Sequence, residues 1–276
     1  MDSEFKAALL LSREKGVGAS EFKKLIDKYK SPQIALANWQ YNIKPTKALI
    51  KVSQDKSSTE EKIKYALKQI EEKKCIGLYY GCEEYPEQLK SQTEPPPIIF
   101  STSQIKKCRY VAVVGSRKPS HETINIVRQY TKEYIEKGYA IVSGGAAGVD
   151  GIAHQTAIEL GAYTLAVLGC GIDINYPKIN TDLLNQIRKN GCIISELMPQ
   201  TPPAKGFFPT RNRIIAGLAD IVVVIQASEK SGSLITANWA RKLGKKVIVA
   251  PPPHAYDIEQ WSGSIKLKEA QIEKQN

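Results

Sequence analysis

The chain carries, at residues 139–154, the stretch YAIVSGGAAGVDGIAH, which predicts a strand, a glycine-rich turn and the start of a helix. Its first part is continuously apolar, as in a strand that is covered on both faces of a sheet. Gly144 and Gly145 have no Cβ atoms, so an anion can approach the backbone N–H groups at the helix start. Asp150 is placed to cap that helix or to orient the turn. The stretch matches neither a P-loop nor the Gly-x-Gly-x-x-Gly dinucleotide motif.

The same pattern of strand, turn and helix repeats from residue 109 onward. Strands joined by helical crossovers predict an α/β fold class, a doubly wound, mostly parallel Rossmann-like sheet. Ligands of such sheets bind outside the carboxyl ends of the strands, and the glycine-rich turns of this chain all follow those ends. The predicted strands are 110–114, 139–142, 164–168, 192–195, 221–225 and 247–250, and the predicted helices lie near 121–137, 150–160, 180–190, 211–218 and 233–243.

Three segments are expected along the chain. Residues 1–70 form a small helical domain, because helical apolar patterns flank Gly16-Val17-Gly18, as in a helix-hairpin-helix (SAM-like) unit. Such a unit binds the DNA backbone in some proteins, and a helical packing domain is the alternative. Residues 71–252 form the Rossmann-like domain, in which the prolines at 95–97 suit a connector or an edge strand. Residues 253–276 are expected to be a C-terminal tail without a winged helix.

The charge of the chain predicts a polyanionic partner. The formal net charge is +11, and residues 101–276 contribute +8 of it with 22 basic and 14 acidic side chains. Most of the excess therefore lies in the part that carries the glycine-rich turns. Charge alone does not separate DNA, RNA and acidic lipid.

The cysteines and the amino terminus predict a cytoplasmic protein without metal or cofactor. The five cysteines are scattered and form no Cys-x-x-Cys pair, which favours reduced thiols over a disulfide framework or a metal site. The chain opens with Met1-Asp2-Ser3-Glu4, which is acidic, and no long apolar run follows. We therefore expect no signal peptide and no membrane partner.

The stretch KGFFPTRNRIIAG at residues 205–217 indicates contact with nucleic acid. Lys205, Arg211 and Arg213 supply cations that can neutralise phosphates, and the ring of Phe208 can stack on a base. A helix is predicted directly after this loop, and its first N–H groups favour anions.

Two further turns supply polar groups at the same predicted edge. Gly115 permits a tight turn, after which Ser116 offers a hydroxyl and Arg117 a planar fork for a phosphate. The alternative is a solvated basic loop. Ser231 and Ser233 precede a helix, and a plain N-cap explains either serine without a ligand. A cap combined with an anion site also explains the glycine between them.

Seven motifs in this order resemble the DNA-processing protein A family (DprA/Smf). Members bind single-stranded DNA and load a RecA-type recombinase onto it during natural transformation and recombination. They act as homodimers and are not enzymes in this role. The resemblance covers about residues 75–250 and rests on 114–117, 143–150, 153–154, 169–177, 195–196, 208–217 and 231–237.

The resemblance implies that Arg117, Lys205, Phe208 and Arg211 contact phosphates or stack on bases. The chain departs from the family after its last strand, where residues 251–254 read PPPH in place of a Pro-Gly pair. The predicted DNA-binding set is Gly115, Ser116, Arg117, Gly144, Gly145, Lys205, Phe208, Arg211, Asn212, Arg213, Ser231 and Ser233.

A second function class stays open at this point. The related lysine-decarboxylase-like Rossmann proteins bind or hydrolyse nucleotides through a Pro-Gly-Gly-x-Gly-Thr-x-x-Glu loop. The corresponding residues 231–236 read SGSLIT, with no carboxylate after them. His154 has no acid or base spaced beside it, which favours a buried structural histidine. We therefore expect a non-catalytic DNA-binding protein.

Overall fold

The computed structural model describes residues 3–41, 56–72 and 74–272. These residues belong to two units. The smaller unit comprises Met1–Ile105, Cys170–Ile174 and Ile194–Pro202, and the larger comprises Lys106–Gly169, Asn175–Ile193 and Pro203–Asn276. Part of the predicted helical domain, residues 42–55, lies outside the described residues, and the predicted domain boundaries stay a prediction.

The smaller unit begins with helices packed around apolar side chains. Phe5, Leu9, Phe22 and Ile26 recur at helical spacing and are buried, which fixes one face of each of the first two helices. These helices flank the Gly16-Val17-Gly18 turn, as the sequence predicts. The elements are α1 Ser3–Leu11, α2 Ala19–Tyr29, α3 Pro32–Asn38, α4 Lys56–Glu71, β1 Ile76–Tyr79, α5 Glu87–Lys90 and β2 Ile98–Ser101.

The larger unit alternates strands and helices, because its short β-branched runs are separated by amphipathic segments. The elements are β3 Tyr110–Gly115, α6 His121–Glu136, β4 Ala140–Ser143, α7 Val149–Glu159, β5 Thr164–Val167, α8 Thr181–Asn190, β6 Cys192–Ser195, α9 Phe207–Leu218, β7 Ile221–Ile225, α10 Ser233–Lys242, β8 Lys246–Val249 and α11 Ile258–Ile272.

The eight strands follow the order β1-β2-β6-β5-β4-β3-β7-β8 in a mostly parallel sheet. The pairs β3–β4, β3–β7, β4–β5 and β7–β8 are parallel. Strand β2 pairs antiparallel with β1 and with the last two residues of β6. The predicted fold class, a doubly wound Rossmann-like α/β sheet, is confirmed.

The core of the larger unit lies between its central strands and the helices that cover them. Val111, Ile141 and Val223 are fully buried in adjacent strands, and Trp261 of α11 is also buried against this cluster. Covering both faces removes the strands from water and explains why their sequences are continuously apolar. In the described part of the chain, no helix is both long and apolar enough to cross a membrane.

The six predicted strands are confirmed to within one residue at each end, and two predictions need correction. Strand β2 directly follows the prolines at 95–97, which suited a connector or an edge strand, and it pairs antiparallel with β1. The helix predicted near 211–218 is α9, which begins earlier, at Phe207, so most of the loop expected before it at 205–210 is helical. Pro209 fits there because a first helical turn needs no N–H donor from it. The predicted tail contains α11, which anchors the chain by burying Trp261.

Candidate nucleic-acid interface

The carboxyl ends of β3, β4, β5 and β7 lie side by side at one edge of the larger unit. The turns after β3 and β4 contact each other, because the backbone N–H of Val149 donates to the carbonyl of Ser116 at 3.0 Å. Gly148 has a φ of 78° and its Cα faces the Ser116–Arg117 backbone, so a side chain there meets both a strained conformation and a backbone clash. We call this edge, with its turns and the start of α9, the strand-end rim.

Arg117, Phe208 and Tyr176 form a contiguous cluster on the rim. The guanidinium carbon of Arg117 lies 5.8 Å from the ring centroid of Phe208. The ring of Tyr176 lies on Phe208 with centroids 5.5 Å apart and an interplanar angle of 32°. Arg117 and Tyr176 are exposed and Phe208 is half-buried, so the cluster offers a cation and aromatic surface to solvent.

The backbone after β5 supports the ring of Phe208. A Cβ atom on Gly169 would lie 2.8 Å from the ring of Phe208, so only glycine lets the ring pack this closely on the backbone. The glycine-rich turn that follows β5 therefore determines how closely the ring of Phe208 packs against the rim.

Lys205 lies two residues before the first residue of α9 and three residues before Phe208, and it is exposed. Within the described residues, neither Lys205 nor Arg117 forms an ion pair with a carboxylate. Both cations are therefore available to an anionic ligand.

Arg211 lies beneath this surface and is only 5% exposed. One guanidinium nitrogen donates to the carbonyl of Gly144 at 2.7 Å and also to the carbonyl of Val167. The other side of the guanidinium donates to Asn212 Oδ1 at 3.1 Å. Arg211 thus ties α9 to the ends of β4 and β5.

Asp150 completes this buried network. Its carboxylate accepts a hydrogen bond from the Gly144 N–H at 3.1 Å, which orients the turn after β4. Burial raises the pKa of Asp150, while the Arg211 cation opposes that rise. A Cβ atom on Gly144 would lie 2.7 Å from the Asp150 carboxylate, which explains the glycine at this position.

His154 is the buried titratable group next to this network. Its Nδ1 lies 2.7 Å from the Thr164 hydroxyl. Burial and, to a lesser extent, the nearby Arg211 cation together lower the pKa of His154 to about 3. The ring is neutral at physiological pH and serves packing, as the sequence predicts.

The remaining predicted residues occupy the margin of the rim. Asn212 Nδ2 donates to the carbonyl of Gly232 at 3.0 Å, which fixes the turn before α10. The hydroxyls of Ser231 and Ser233 lie 2.7 Å apart and hydrogen-bond to each other. Asn212 and Arg213 are each 8% exposed.

The structure separates the predicted set into an exposed part and a buried part. Arg117, Lys205 and Phe208 lie at the surface of the rim, whereas Arg211, Asn212 and Arg213 are buried within α9. Sequence reasoning missed Tyr176 as a surface group. Its signal was an aromatic residue at the end of a glycine-rich turn that follows a strand. Among the described residues, no group of three or more His, Cys, Asp or Glu could hold a metal ion.

Comparison with known proteins identifies relatives of the chain. A family model described as DNA recombination-mediator protein A matches residues 77–274. The chain is 40% identical over 172 residues to DNA processing protein DprA of Bacillus subtilis (strain 168), covering 61% of this chain and 58% of that protein. It is 34% identical over 204 residues to Protein Smf of Borreliella burgdorferi, covering 72% of this chain and 63% of that protein. The chain therefore spans less than two thirds of either relative.

Two solved structures are similar to the structure described above. The X-ray structure of DNA processing protein A from Streptococcus pneumoniae matches with a TM-score of 0.73 and 28% identity, covering 95% of this chain and 90% of that one. DNA processing protein A from Helicobacter pylori, described for its single-stranded DNA binding mode, matches with a TM-score of 0.62 and 30% identity. The second match covers 71% of this chain and 88% of that chain.

Proposed function

The chain belongs to the DNA recombination-mediator protein A family, and on that premise we propose that its strand-end rim binds single-stranded DNA. Arg117 and Lys205 neutralise backbone phosphates, and the exposed faces of Phe208 and Tyr176 stack on unpaired bases. Stacking tolerates every base, so the proposed binding is largely independent of sequence.

The observation that carries the proposal is the cluster of Arg117, Phe208 and Tyr176. A cation 5.8 Å from one ring and a second ring 5.5 Å away provide charge and stacking surface side by side. Duplex DNA keeps its bases stacked on one another, so exposed rings favour a strand whose bases are unpaired.

The buried residues of the predicted set have a positioning role in this proposal. Arg211 holds the ends of β4 and β5 through the Gly144 and Val167 carbonyls. Asn212 holds the turn at Gly232. These bonds fix the backbone that presents Arg117 and Phe208, so the loss of Arg211 disorders the site without removing a direct contact.

Family resemblance supports the wider role. The proposed role is to load a RecA-type recombinase onto the bound strand in DNA uptake and recombination, as a homodimer and without catalysis. Coating of single-stranded DNA by single-strand-binding protein, followed by recombinase assembly with and without this chain, tests the loading step. Faster assembly supports the role, and unchanged assembly contradicts it. Sedimentation of the free protein tests the homodimer.

The DNA-binding step is tested by titration of a labelled oligothymidylate, read by fluorescence polarisation across a series of salt concentrations. Removing one phosphate contact with Arg117→Gln lowers the slope of log affinity against log salt by about 0.7 on a single strand. Lys62→Gln is the matched control, because Lys62 is an exposed lysine of α4 in the other unit. An unchanged slope for Arg117→Gln contradicts the assignment of the rim.

Competition between polynucleotides separates the proposal from a nucleotide-processing activity. Unlabelled single-stranded DNA is expected to displace the oligothymidylate better than duplex DNA of equal length. Nucleoside monophosphates incubated with the protein should release no free base. Release of free base would instead support the enzyme hypothesis.

A further inference from the structure

A cluster of positive charge in the larger unit lies at the edge opposite the strand-end rim. Because β3, β4, β5, β7 and β8 are parallel, their amino ends share one edge. Cations lie at or shortly before the starts of β3 and β8, and we call five of them the basic edge. They are Lys106, Lys107, Arg109, Lys245 and Lys246.

Direct contacts join the first half of the basic edge. The backbone N–H of Lys106 donates to the Tyr163 hydroxyl at 3.3 Å, and the Lys106 ammonium lies 5.8 Å from the Tyr163 ring centroid. The backbone N–H of Ala140 donates to the carbonyl of Arg109 at 2.9 Å. The starts of β3, β4 and β5 therefore form one continuous surface.

Arg109 is held in a defined orientation on this surface. Its guanidinium carbon lies 4.5 Å from the ring centroid of Tyr139, and Nη2 donates to the carbonyl of Lys137 at 3.0 Å. Stacking and one hydrogen bond leave the remaining N–H donors exposed. A planar guanidinium that is held in one orientation can donate two hydrogen bonds to a phosphate.

The second half of the edge follows from the register of the sheet. Val111 pairs with Ile221, and Ile221 pairs with Lys246. With strands about 4.8 Å apart, the starts of β3 and β8 lie within about 10 Å of each other. Lys245 and Lys246 therefore extend the surface that Lys106 and Arg109 begin.

One carboxylate at the basic edge, that of Asp220, is hydrogen-bonded to the backbone. Asp220 lies between β3 and β8 and accepts a hydrogen bond from the Tyr110 N–H at 2.9 Å. Within the described part of the chain, none of the five cations forms an ion pair with a carboxylate.

We propose that the basic edge is a second nucleic-acid surface, which binds the phosphate backbone of another strand or duplex. The strands between the two edges are four to six residues long, which places the edges about 13–20 Å apart. A second polynucleotide can therefore bind without displacing the one on the rim. Lysine is depleted at protein–protein interfaces, whereas lysine and arginine clusters fit a phosphate backbone. The proposal does not depend on the identity of the rim ligand.

The test uses a protein whose rim is disabled by Arg117→Gln and Phe208→Ala. In that background, a labelled oligothymidylate and a labelled mixed-sequence duplex are titrated at several salt concentrations. Two paired changes are compared, Lys106→Gln with Lys107→Gln and Lys245→Gln with Lys246→Gln. The control pair is Lys62→Gln with Lys64→Gln, which removes the same charge from exposed positions of α4. All of these side chains are exposed or half-buried, and thermal unfolding verifies that each variant folds.

The rim-disabled protein is expected to retain salt-sensitive binding to both probes. Each basic-edge pair should weaken it about tenfold at low salt and lower the salt slope by about 1.4 on the single strand and about 1.8 on the duplex. The control pair should leave both values unchanged. Loss of all binding in the rim-disabled protein, or an equal effect of the control pair, overturns the proposal.

Two further outcomes separate the two surfaces. If disabling the rim changes nothing and the basic-edge pairs abolish binding, the rim assignment fails and the basic edge stands. If phosphatidylserine vesicles bind the rim-disabled protein through the five cations and both nucleic-acid probes do not, the partner is a membrane surface and the proposal is wrong.

Discussion

The strand-end rim has an exposed layer, formed by Arg117, Lys205 and Phe208, and a buried layer, formed by Arg211 and Asp150. Arg117 ends in solvent, while Arg211 is 5% exposed and donates to two backbone carbonyls. A buried guanidinium needs every donor satisfied, so it organises backbone rather than binding a ligand. The same residue type therefore supports two functions, and burial decides which one.

The largest expected effect separates the two arginines by stability. Arg211→Met leaves the Gly144 and Val167 carbonyls without their donor and Asp150 without its cation. Breaking such a buried pair costs about 3–5 kcal/mol of unfolding free energy. Urea unfolding measures the loss, and Arg117→Met is the control, with an expected change within about 0.5 kcal/mol. If the Arg211→Met protein has normal stability but no longer binds DNA, Arg211 contacts the DNA directly, and the distinction between the exposed and the buried arginine is wrong.

The next effect concerns the exposed layer alone. Phe208→Ala removes a stacking surface and should weaken binding of an oligothymidylate by about 1–3 kcal/mol. Its stability should fall less than that of Arg211→Met, because Phe208 is only half-buried. Polarisation titration gives the affinity, and Tyr41→Ala is a control because that ring is 88% exposed and lies in the other unit. Equal losses for both tyrosine and phenylalanine variants would contradict a specific aromatic surface.

The smallest effect concerns His154, which is buried beside Arg211, and it is measured through the pH dependence of stability. The folded-state pKa of His154 is about 3, below the ordinary value of 6.5, so the unfolded chain binds this proton more readily. The contribution of neutral His154 to the free energy of unfolding is therefore complete above about pH 6.5 and is lost as the pH falls toward the folded-state pKa. Between about pH 7 and pH 5.5 the expected loss is about 1 kcal/mol from this group.

Comparison of His154→Gln with the parent chain isolates that contribution. The variant should show a weaker pH dependence of unfolding over the same range. His121→Gln is the matched control, because His121 is exposed at the start of α6. An unchanged pH dependence in His154→Gln would mean that the ring is already charged or solvated in the folded protein.

The fold was largely predictable because its signals are local. The central strands are short apolar runs that end at turn-forming residues, and the crossovers are amphipathic. Hydrophobic periodicity and the positions of the turn residues therefore predict whether a segment is a strand or a helix. The start of α9 was not predictable in the same way. Gly206 and Pro209 suggest a loop, yet the packing of Arg211 beneath β4 and β5 extends the helix back to Phe207.

The sequence by itself determined the α/β sheet, the order of its turns and the excess of positive charge, because these depend on residue type and spacing. Only the tertiary structure decided which cations face solvent. Arg211 and Arg213 are buried while Arg117 is exposed, and Tyr176 joins Phe208 although 32 residues separate them in the chain. The burial of each side chain depends on which backbone carbonyls and aromatic rings lie next to it in the folded sheet. The order of charged residues along the chain does not specify these neighbours.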